Sequence, residues 1–392
     1  MPELLAPAGD LERVKTALYF GADAVYAGGP KLQLRSDNAG FTMEELAEAA
    51  SLAHARGKKL YVAVNSFVKN SEIALLGDYA RALKDIGADA VIVSDLGAIA
   101  TIAREAPDID IHVSTQANCL NYAAARHYHD MGAKRVILAR EATLEEIGEI
   151  CVKTPRSLEI ECFIHGAMCM SYSGRCMLSA YMKGRSANRG DCFQPCRYRY
   201  QLSTVTDAGE YYPVYESDEG TMILSSRDLN TMPFLDDIIR AGVTSLKIEG
   251  RMKTAYYVAT VVNAYRHRID GTAPADVCLR ELDYASHREY TTGFYFGEAK
   301  NTEHAGESYL QDKVFTGIVL DAKDGRILVQ MRNPYAIGDA LEVLSPDSMG
   351  RVFTVERIEN EDGEPVPKIS VPMQKAWVTC PFDLHTGDIL RK

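Results

Sequence analysis

Gly21–Gly29 reads GADAVYAGG and Gly87–Asp95 reads GADAVIVSD. Related runs start at Gly57 (GKKLYVAVN), Gly132 (GAKRVILARE) and Gly242 (GVTSLKIEGR). In each, a glycine follows an amphipathic stretch and precedes a short apolar run. Glycine just past a helix end supplies the left-handed cap. An apolar run bounded in this way reads as a strand of a buried parallel sheet. The stretches ahead of the glycines, ERVKTALYF, MEELAEAASLAHAR, LLGDYARALKDI, AAARHYHDM and LDDIIRA, have helical periodicity.

ELLAPAG, IDIHVSTQAN, SLEIECFIH and TMILSSRDLN add four strand candidates. Strands alternating with helices at this pace predict an α/β fold, a (β/α)₈ TIM-like barrel over residues 1–270. The candidates number nine, one more than such a barrel holds, and TMILSSRDLN is the surplus. A doubly wound open sheet is the alternative, but no GxGxxG turn supports it. The spacing breaks between Gly132 and Gly242, an interval that holds a Cys-rich insertion at about residues 160–200. An insertion after a barrel strand falls on the C-terminal face, where barrel active sites form. Residues 271–308 read as a linker. From Tyr309, runs such as KVFTGIVLDA, RILVQMR and DALEVLS alternate apolar and polar residues between DG, NP and GD turns. They predict a small C-terminal all-β domain, barrel-like, over 309–392.

The net charge of −11 argues against a generally basic nucleic-acid surface but leaves room for a local one. The opening MPELLAPAGDLERV lacks the basic and apolar regions of a signal peptide, and no run approaches a membrane span. A cytoplasmic protein without membrane contact is the expectation. There, clustered thiols are for metal binding or catalysis rather than disulfides.

Four cysteines fall within 28 residues: Cys169, Cys176, Cys192 and Cys196. Their neighbours are Ser171, Tyr172, Ser173, Gly174, Arg175, Gln194 and Pro195, which is loop chemistry rather than a core run. Four thiolates suit tetrahedral zinc or a [4Fe–4S] cluster. A zinc ribbon pairs two short CxxC hooks, and here only Cys192 and Cys196 form a hook. Irregular spacing of this kind favours a cluster over zinc. Cys119, Cys151, Cys162, Cys278 and Cys380 lie among apolar neighbours and read as packing residues.

The strand ends gather polar side chains: Asn65, Ser94 and Asp95, then Ser114, Thr115, Gln116 and Asn118, then Arg140 and Glu141, Glu161 and His165, and Lys247, Glu249 and Arg251. Such a set suits an anionic ligand. Arg140 and Arg251 have the fork that grips carboxylates. Lys247, Glu249 and Arg251 share one strand face, either to contact ligand or to pair with one another. His165, Glu161 and Gln116 are the candidate catalytic residues. Asn65, Arg140, Glu141, Lys247, Glu249 and Arg251 are the candidate substrate-binding residues. Arg185, Arg189, Arg197 and Arg199, with Lys183 and the interleaved Tyr198 and Tyr200, form a basic stretch able to hold an RNA backbone and stack bases. A basic collar for an anionic cluster is the simpler reading. No HExxH or GxSxG motif points to hydrolysis.

Glu161–Ser179, ECFIHGAMCMSYSGRCMLS, resembles the signature of the collagenase-like peptidase family U32. NRGDCFQPCR, SLKIEGRMKTAYYV, LLAPAGD and STQAN resemble that family too, so the likeness spans roughly residues 3–270. The family name implies a peptidase. The resemblance also implies oxygen-independent hydroxylation, because members hydroxylate tRNA wobble uridine to 5-hydroxyuridine with prephenate as hydroxyl donor, ribosomal RNA, or ubiquinone precursors. A barrel followed by a small β domain resembles the tRNA-modifying branch best. By position, Cys169, Cys176, Cys192 and Cys196 match the cysteines that carry a [4Fe–4S] cluster in the family. The implied partners are tRNA and a small dicarboxylate such as prephenate. A homo- or hetero-oligomer, as in the paired quinone-hydroxylation proteins, is a further expectation.

Overall fold

The computed structural model describes residues 1–34, 40–169, 171–197, 215–217, 220–222, 226–297 and 309–392. The chain forms two compact units. The first comprises Met1–Val14, Ala22–Lys253 and His287–Tyr309; the second comprises Lys15–Gly21, Thr254–Ser286 and Leu310–Lys392.

In the first unit, β1 (Glu3–Pro7), β2 (Ala24–Gly28), β3 (Lys59–Val64), β4 (Ala90–Val93), β5 (Asp110–Val113), β6 (Ala133–Ile137) and β7 (Glu159–Ala167) pair parallel in chain order. A short antiparallel hairpin, β8 (Tyr215–Ser217) with β9 (Gly220–Met222), follows, and then β10 (Asp228–Asn230). The next strand, β11 (Ser245–Ile248), pairs parallel with both β7 and β1 and closes an eight-stranded barrel. The strand within TMILSSRDLN is therefore the surplus one. As β10 it lies antiparallel against the end of β7, outside the closed ring, and carries β12 (Tyr290–Thr291) on its other edge.

The helices that alternate with the strands are α1 (Leu11–Tyr19), α2 (Met43–His54), α3 (Asn70–Asp85), α4 (Leu96–Glu105), α5 (Tyr122–Asp130) and α6 (Leu144–Lys153). α2 and α6 start in capping boxes, Thr42 with Glu45 and Thr143 with Glu146, which satisfy backbone donors otherwise left bare. Asp95 caps α4 by accepting from the Ala98 amide at 2.9 Å, so this strand-end carboxylate serves the helix. The repeat glycines Gly21, Gly57, Gly87, Gly132 and Gly242 all have positive φ, the cap conformation their positions predict. α7 (Leu178–Lys183) lies in the cysteine-bearing segment, and α8 (Leu235–Arg240) precedes β11.

Barrel interiors are usually filled by branched apolar side chains. Here the lower interior is an ion network. Arg135 on β6 donates to Glu3 (2.6 Å), Glu159 (2.6 and 2.8 Å), Glu161 (2.9 Å) and Ser245 (3.1 Å). Its guanidinium also lies 5.2 Å from the centre of the Tyr61 ring, and the Tyr61 hydroxyl donates to Glu3 at 2.7 Å. Burial opposes a charge at Arg135, but Glu161 and Glu3 outweigh it and hold the guanidinium pKa above its usual value. His112, packed edge-on against Tyr61, is kept neutral by burial and then by the nearby Arg135.

The second unit holds α9 (Ala255–Asp270), α10 (Ala275–Leu282) and the C-terminal strands. Helix α9 thus groups with the C-terminal strands although it lies inside the 1–270 segment. His287–Tyr309, inside the 271–308 segment for its greater part, groups with the barrel strands. The C-terminal region is an all-antiparallel sheet of seven strands. Their order is Ser348–Thr354, Ala340–Ser345, Ile389–Arg391, Phe315–Lys323, Arg326–Met331, Lys375–Thr379 and Ile358–Glu359. Val319, Val329, Leu341, Val343, Val378 and Leu390 fill its core. Buried Arg391 pairs with Glu281 of α10 and with Glu342. Among the described residues, no helix is long and apolar enough to cross a membrane.

Arg135→Met removes the cation from three carboxylates and leaves Glu161 buried with one charged partner. Stranding buried charge in this way costs about 3–5 kcal/mol. The expected result is a matching fall in unfolding free energy by urea denaturation, with the largest loss near neutral pH, where the carboxylates are ionised.

Candidate functional site

The upper end of the barrel opens into a cavity of about 330 Å³. Its floor is Tyr26, Ile92, Ile137, Phe163 and Lys247, residues of the strands themselves. Asn65, Ser114, Gln116, Arg140, Glu249 and Arg251, from the strand ends and the residues just beyond them, form its middle tier. Cys169, Cys176, Cys192 and Cys196 all line the outer wall, with Ser171, Gly174 and Leu178. One chamber therefore joins four thiols to three cationic side chains.

Each cation is held in place. Lys247 donates to Glu161 at 2.9 Å and sits 4.4 Å from the centre of the Tyr26 ring. Burial pulls the Lys247 pKa below its usual value against the pull of Glu161. Burial acts in the opposite sense on Glu161, but Lys247 and Arg135 prevail and keep its carboxyl below the usual range. Arg140 donates to Glu249 at 2.9 Å, with its guanidinium 4.1 Å from the centre of the Phe163 ring. Arg251 donates to the neutral amide oxygen of Gln33 at 2.8 Å. Among the described residues, the buried Asn65 Oδ1 has no hydrogen-bond partner, although its residue lines the cavity. Such an atom carries a desolvation cost that a donor group on a ligand would relieve.

Two glycines let backbone and side chains close up here. A Cβ on Gly9 would sit 2.2 Å from the Arg251 carbonyl oxygen, so the loops after β1 and β11 touch only because Gly9 has none. A Cβ on Gly174, which has a φ of +82°, would sit 2.3 Å from Gln116 Nε2.

Two neutral side chains tie down the backbone beside Cys176 and Cys192. Asn188 accepts from the Cys176 amide (3.2 Å) and donates to its carbonyl (3.1 Å), bracketing that residue. Ser179 donates to the Asp191 carbonyl (3.3 Å) and accepts from the Phe193 amide (3.4 Å), on both sides of Cys192. The Leu178 amide donates to the Cys176 sulfur at 3.3 Å. All nine cysteines are free. Among the described residues, no three His, Cys, Asp or Glu side chains converge closely enough to hold a metal ion. The donor set is nonetheless the one a soft metal centre uses, gathered on one wall.

A sequence model of "Peptidase family U32" matches residues 9–305, and one of the "Peptidase family U32 C-terminal domain" matches 311–391. The chain belongs to peptidase family U32. The "tRNA hydroxylation protein P1" of Bacillus subtilis (strain 168) is 39% identical over 405 residues, spanning 100% of this chain and 94% of that protein. The "tRNA hydroxylation protein P" of Escherichia coli (strain K12) is 37% identical, spanning 98% and 95%. A "Collagenase" of Porphyromonas gingivalis is 33% identical, spanning 92% and 90%.

Of the candidate residues, Gln116, Asn65, Arg140, Lys247, Glu249, Arg251 and the four cysteines meet in the cavity. The others do not. Glu161 is fully buried beneath it in the ion network. Glu141 accepts from the Ser173 amide at 2.6 Å and from the Ser173 hydroxyl, anchoring the loop between Cys169 and Cys176. Arg189 is bound to Glu72 (2.7 and 3.0 Å) and to the Phe67 carbonyl, and Arg185 to Asp191 at 2.5 Å. The side chain of Arg197, and Arg199, Tyr198 and Tyr200 entirely, lie outside the described residues. Gln33, Ser179 and Asn188 carry supporting roles that no spacing announces.

His165 is turned out of the barrel. The register shifts by one residue between β7 and β11, with Lys247 opposite Phe163 but Ile248 opposite His165. The extra residue reverses the alternation, so that His165 faces Tyr290, its ring 5.5 Å away, and the Asp228 carboxylate. Burial draws its pKa down to about 3. A base with a depressed folded-state pKa is protonated first in the unfolded chain, so stability is full above about pH 6.5 and declines as pH falls toward 3. His165→Gln is expected to remove about 2 kcal/mol of the stability lost between pH 7 and pH 5. Urea midpoints at the two pH values check it; an unchanged slope would contradict the neutral, buried imidazole.

Proposed function

We propose that this protein hydroxylates RNA, and specifically tRNA wobble uridine to 5-hydroxyuridine, without oxygen and with prephenate as hydroxyl donor. The observation that carries this reading is the single chamber in which four thiols face Lys247, Arg140 and Arg251. Near-full-length similarity to tRNA hydroxylation proteins supports the substrate class.

Arg140 and Arg251 bind the two carboxylates of the donor, with Lys247 adding positive charge from the floor. The partners Glu249 and Gln33 keep the guanidinium groups oriented before the donor arrives. Asn65 accepts a hydrogen bond from the N–H edge of the uracil ring, giving its buried oxygen a partner. Gln116, its carbonyl fixed by Arg175 at 2.9 Å, lies at the same level for a second polar contact. The apolar floor of Ile92, Ile137 and Phe163 excludes water from the reacting atoms. Cys169, Cys176, Cys192 and Cys196 would hold a [4Fe–4S] cluster; when bound, it supplies electron transfer beside the donor site.

The collagenase relative favours a second reading, peptide hydrolysis. Gelatin cleavage by the purified protein, abolished by one cavity substitution, would establish it. Among the described residues no histidine lines the cavity, which leaves a cysteine or serine nucleophile there without the usual base.

Deleting the gene should remove 5-hydroxyuridine-derived nucleosides from tRNA, read by nucleoside mass spectrometry. Cys176→Ser should fail to restore them and should lower iron and sulfide in anaerobically purified protein. Unchanged nucleosides in the deletion strain, or a colourless zinc-loaded protein, would overturn the corresponding part of the reading. Asn65→Leu should leave the urea midpoint unchanged or slightly raised, because it removes an unpartnered buried oxygen, and should cut nucleoside formation about tenfold or more.

A further inference from the structure

Helix α7 is packed on one side and bare on the other. Ser179 is fully buried and joined to the backbone on both sides of Cys192, and Leu178 lines the cavity. Tyr181, three residues further on, is 89% exposed, Met177 is 72% exposed, and Tyr172 and Met182 are exposed as well. Met177 and Tyr181 stand one turn apart, the Tyr181 amide donating to the Met177 carbonyl at 2.8 Å, on the helix whose Leu178 lines the cavity. Contiguous exposure of this kind marks a surface meant for a partner.

Charge identifies the partner. From Ser171 to Gly190 the chain carries Arg175, Lys183, Arg185 and Arg189 and no Asp or Glu, within a protein whose net charge is −11; Arg185 and Arg189 are engaged by Asp191 and Glu72, so the charge offered to a partner is that of Arg175 and Lys183. Arg175 and Lys183 are exposed. Flat aromatic and polarisable thioether side chains interleaved with cations match single-stranded nucleic acid, whose bases stack on the former while phosphates meet the latter.

We propose that Tyr181, with Met177 one turn before it and Lys183 at the C-terminal end of the same helix, is a stacking platform for the RNA base that flanks the one entering the cavity. This rests on the RNA-hydroxylation reading and assigns the rim a task that reading leaves open. α7 is fastened to the cysteine segment through Ser179, so a base stacked on Tyr181 is registered against the cavity. Lys183 contacts the phosphate between the stacked and the inserted nucleotide. The platform selects unpaired loops, because a base within a duplex has no free face to offer.

The test uses the full chain and an unmodified anticodon stem-loop RNA, with binding read by fluorescence anisotropy. Tyr181→Ala should weaken binding about tenfold, while Tyr181→Phe and Tyr181→Trp stay within about twofold of the parent chain. Lys183→Ala should lower the slope of log affinity against log salt by about 0.7. Urea midpoints should be unchanged for all four, since these side chains stand in solvent. Equal affinity for Tyr181→Ala, or an equal loss with Phe and Ala, overturns the platform. So does a Tyr181→Ala chain whose only change is its sedimentation, which would assign the patch to a second copy. If the parent chain forms 5-hydroxyuridine while Tyr181→Ala binds normally, the platform falls and the hydroxylation reading stands. If the parent chain forms none but binds the stem-loop through Tyr181, the hydroxylation reading falls and the platform stands.

Discussion

Arg135 stands at the centre of the barrel with carboxylates or hydroxyls of three other strands around it. Glu3 comes from β1, Glu159 and Glu161 from β7, and Ser245 from β11. These strands meet where the ring closes, so one guanidinium fastens the seam. A planar group with five donors suits the task, because a lysine could not address so many directions from one position. The arrangement has a cost, since four charged groups leave water. It is offset only while each finds its partner, which makes the network intolerant of single losses.

The same network sets the character of the chamber above. Glu161 is shared between Arg135 below and Lys247 above, so the lower ion cluster supports the cationic floor of the cavity. One level higher, Glu249 orients Arg140 in the same manner. Acid and base alternate up the barrel axis, and each tier is positioned by the one beneath. The cavity thereby keeps cations in a largely closed space without leaving any of them unsupported when no ligand is bound. Fastened on its rim are four thiols, held by Asn188 and Ser179 beside Cys176 and Cys192 and by the Glu141 carboxylate on the loop between Cys169 and Cys176.

Much of this was legible in the chain and some was not. The repeat glycines announced their helix ends, because positive φ is a local demand that only glycine meets cheaply. The surplus of TMILSSRDLN followed from counting strands. Asn65, Gln116, Arg140, Lys247 and the cysteines could be placed because strand ends and an insertion after β7 share one face of a barrel. Arg135 was invisible, since its partners lie 24, 26, 110 and 132 residues away. His165 was misplaced by one inserted residue in β7, which leaves no mark in composition or period. The basic stretch was read from its charges and its two interleaved tyrosines, which lie outside the described residues. Folding divides it into Arg189, which braces a neighbouring loop against Glu72, and the exposed α7 rim.

Gly9 and the Arg251 carbonyl touch across 242 residues of chain, as do Glu3 and Ser245. On a ribosome, all four thiols therefore emerge before the strand that closes the ring beneath them. For that interval the segment has no finished chamber behind it, and its sulfurs are open to metal carriers and oxidants alike. Ring closure follows, and it converts a set of accessible thiols into the wall of a sheltered compartment. The order of synthesis itself gives these four thiols an interval of exposure that the finished fold narrows.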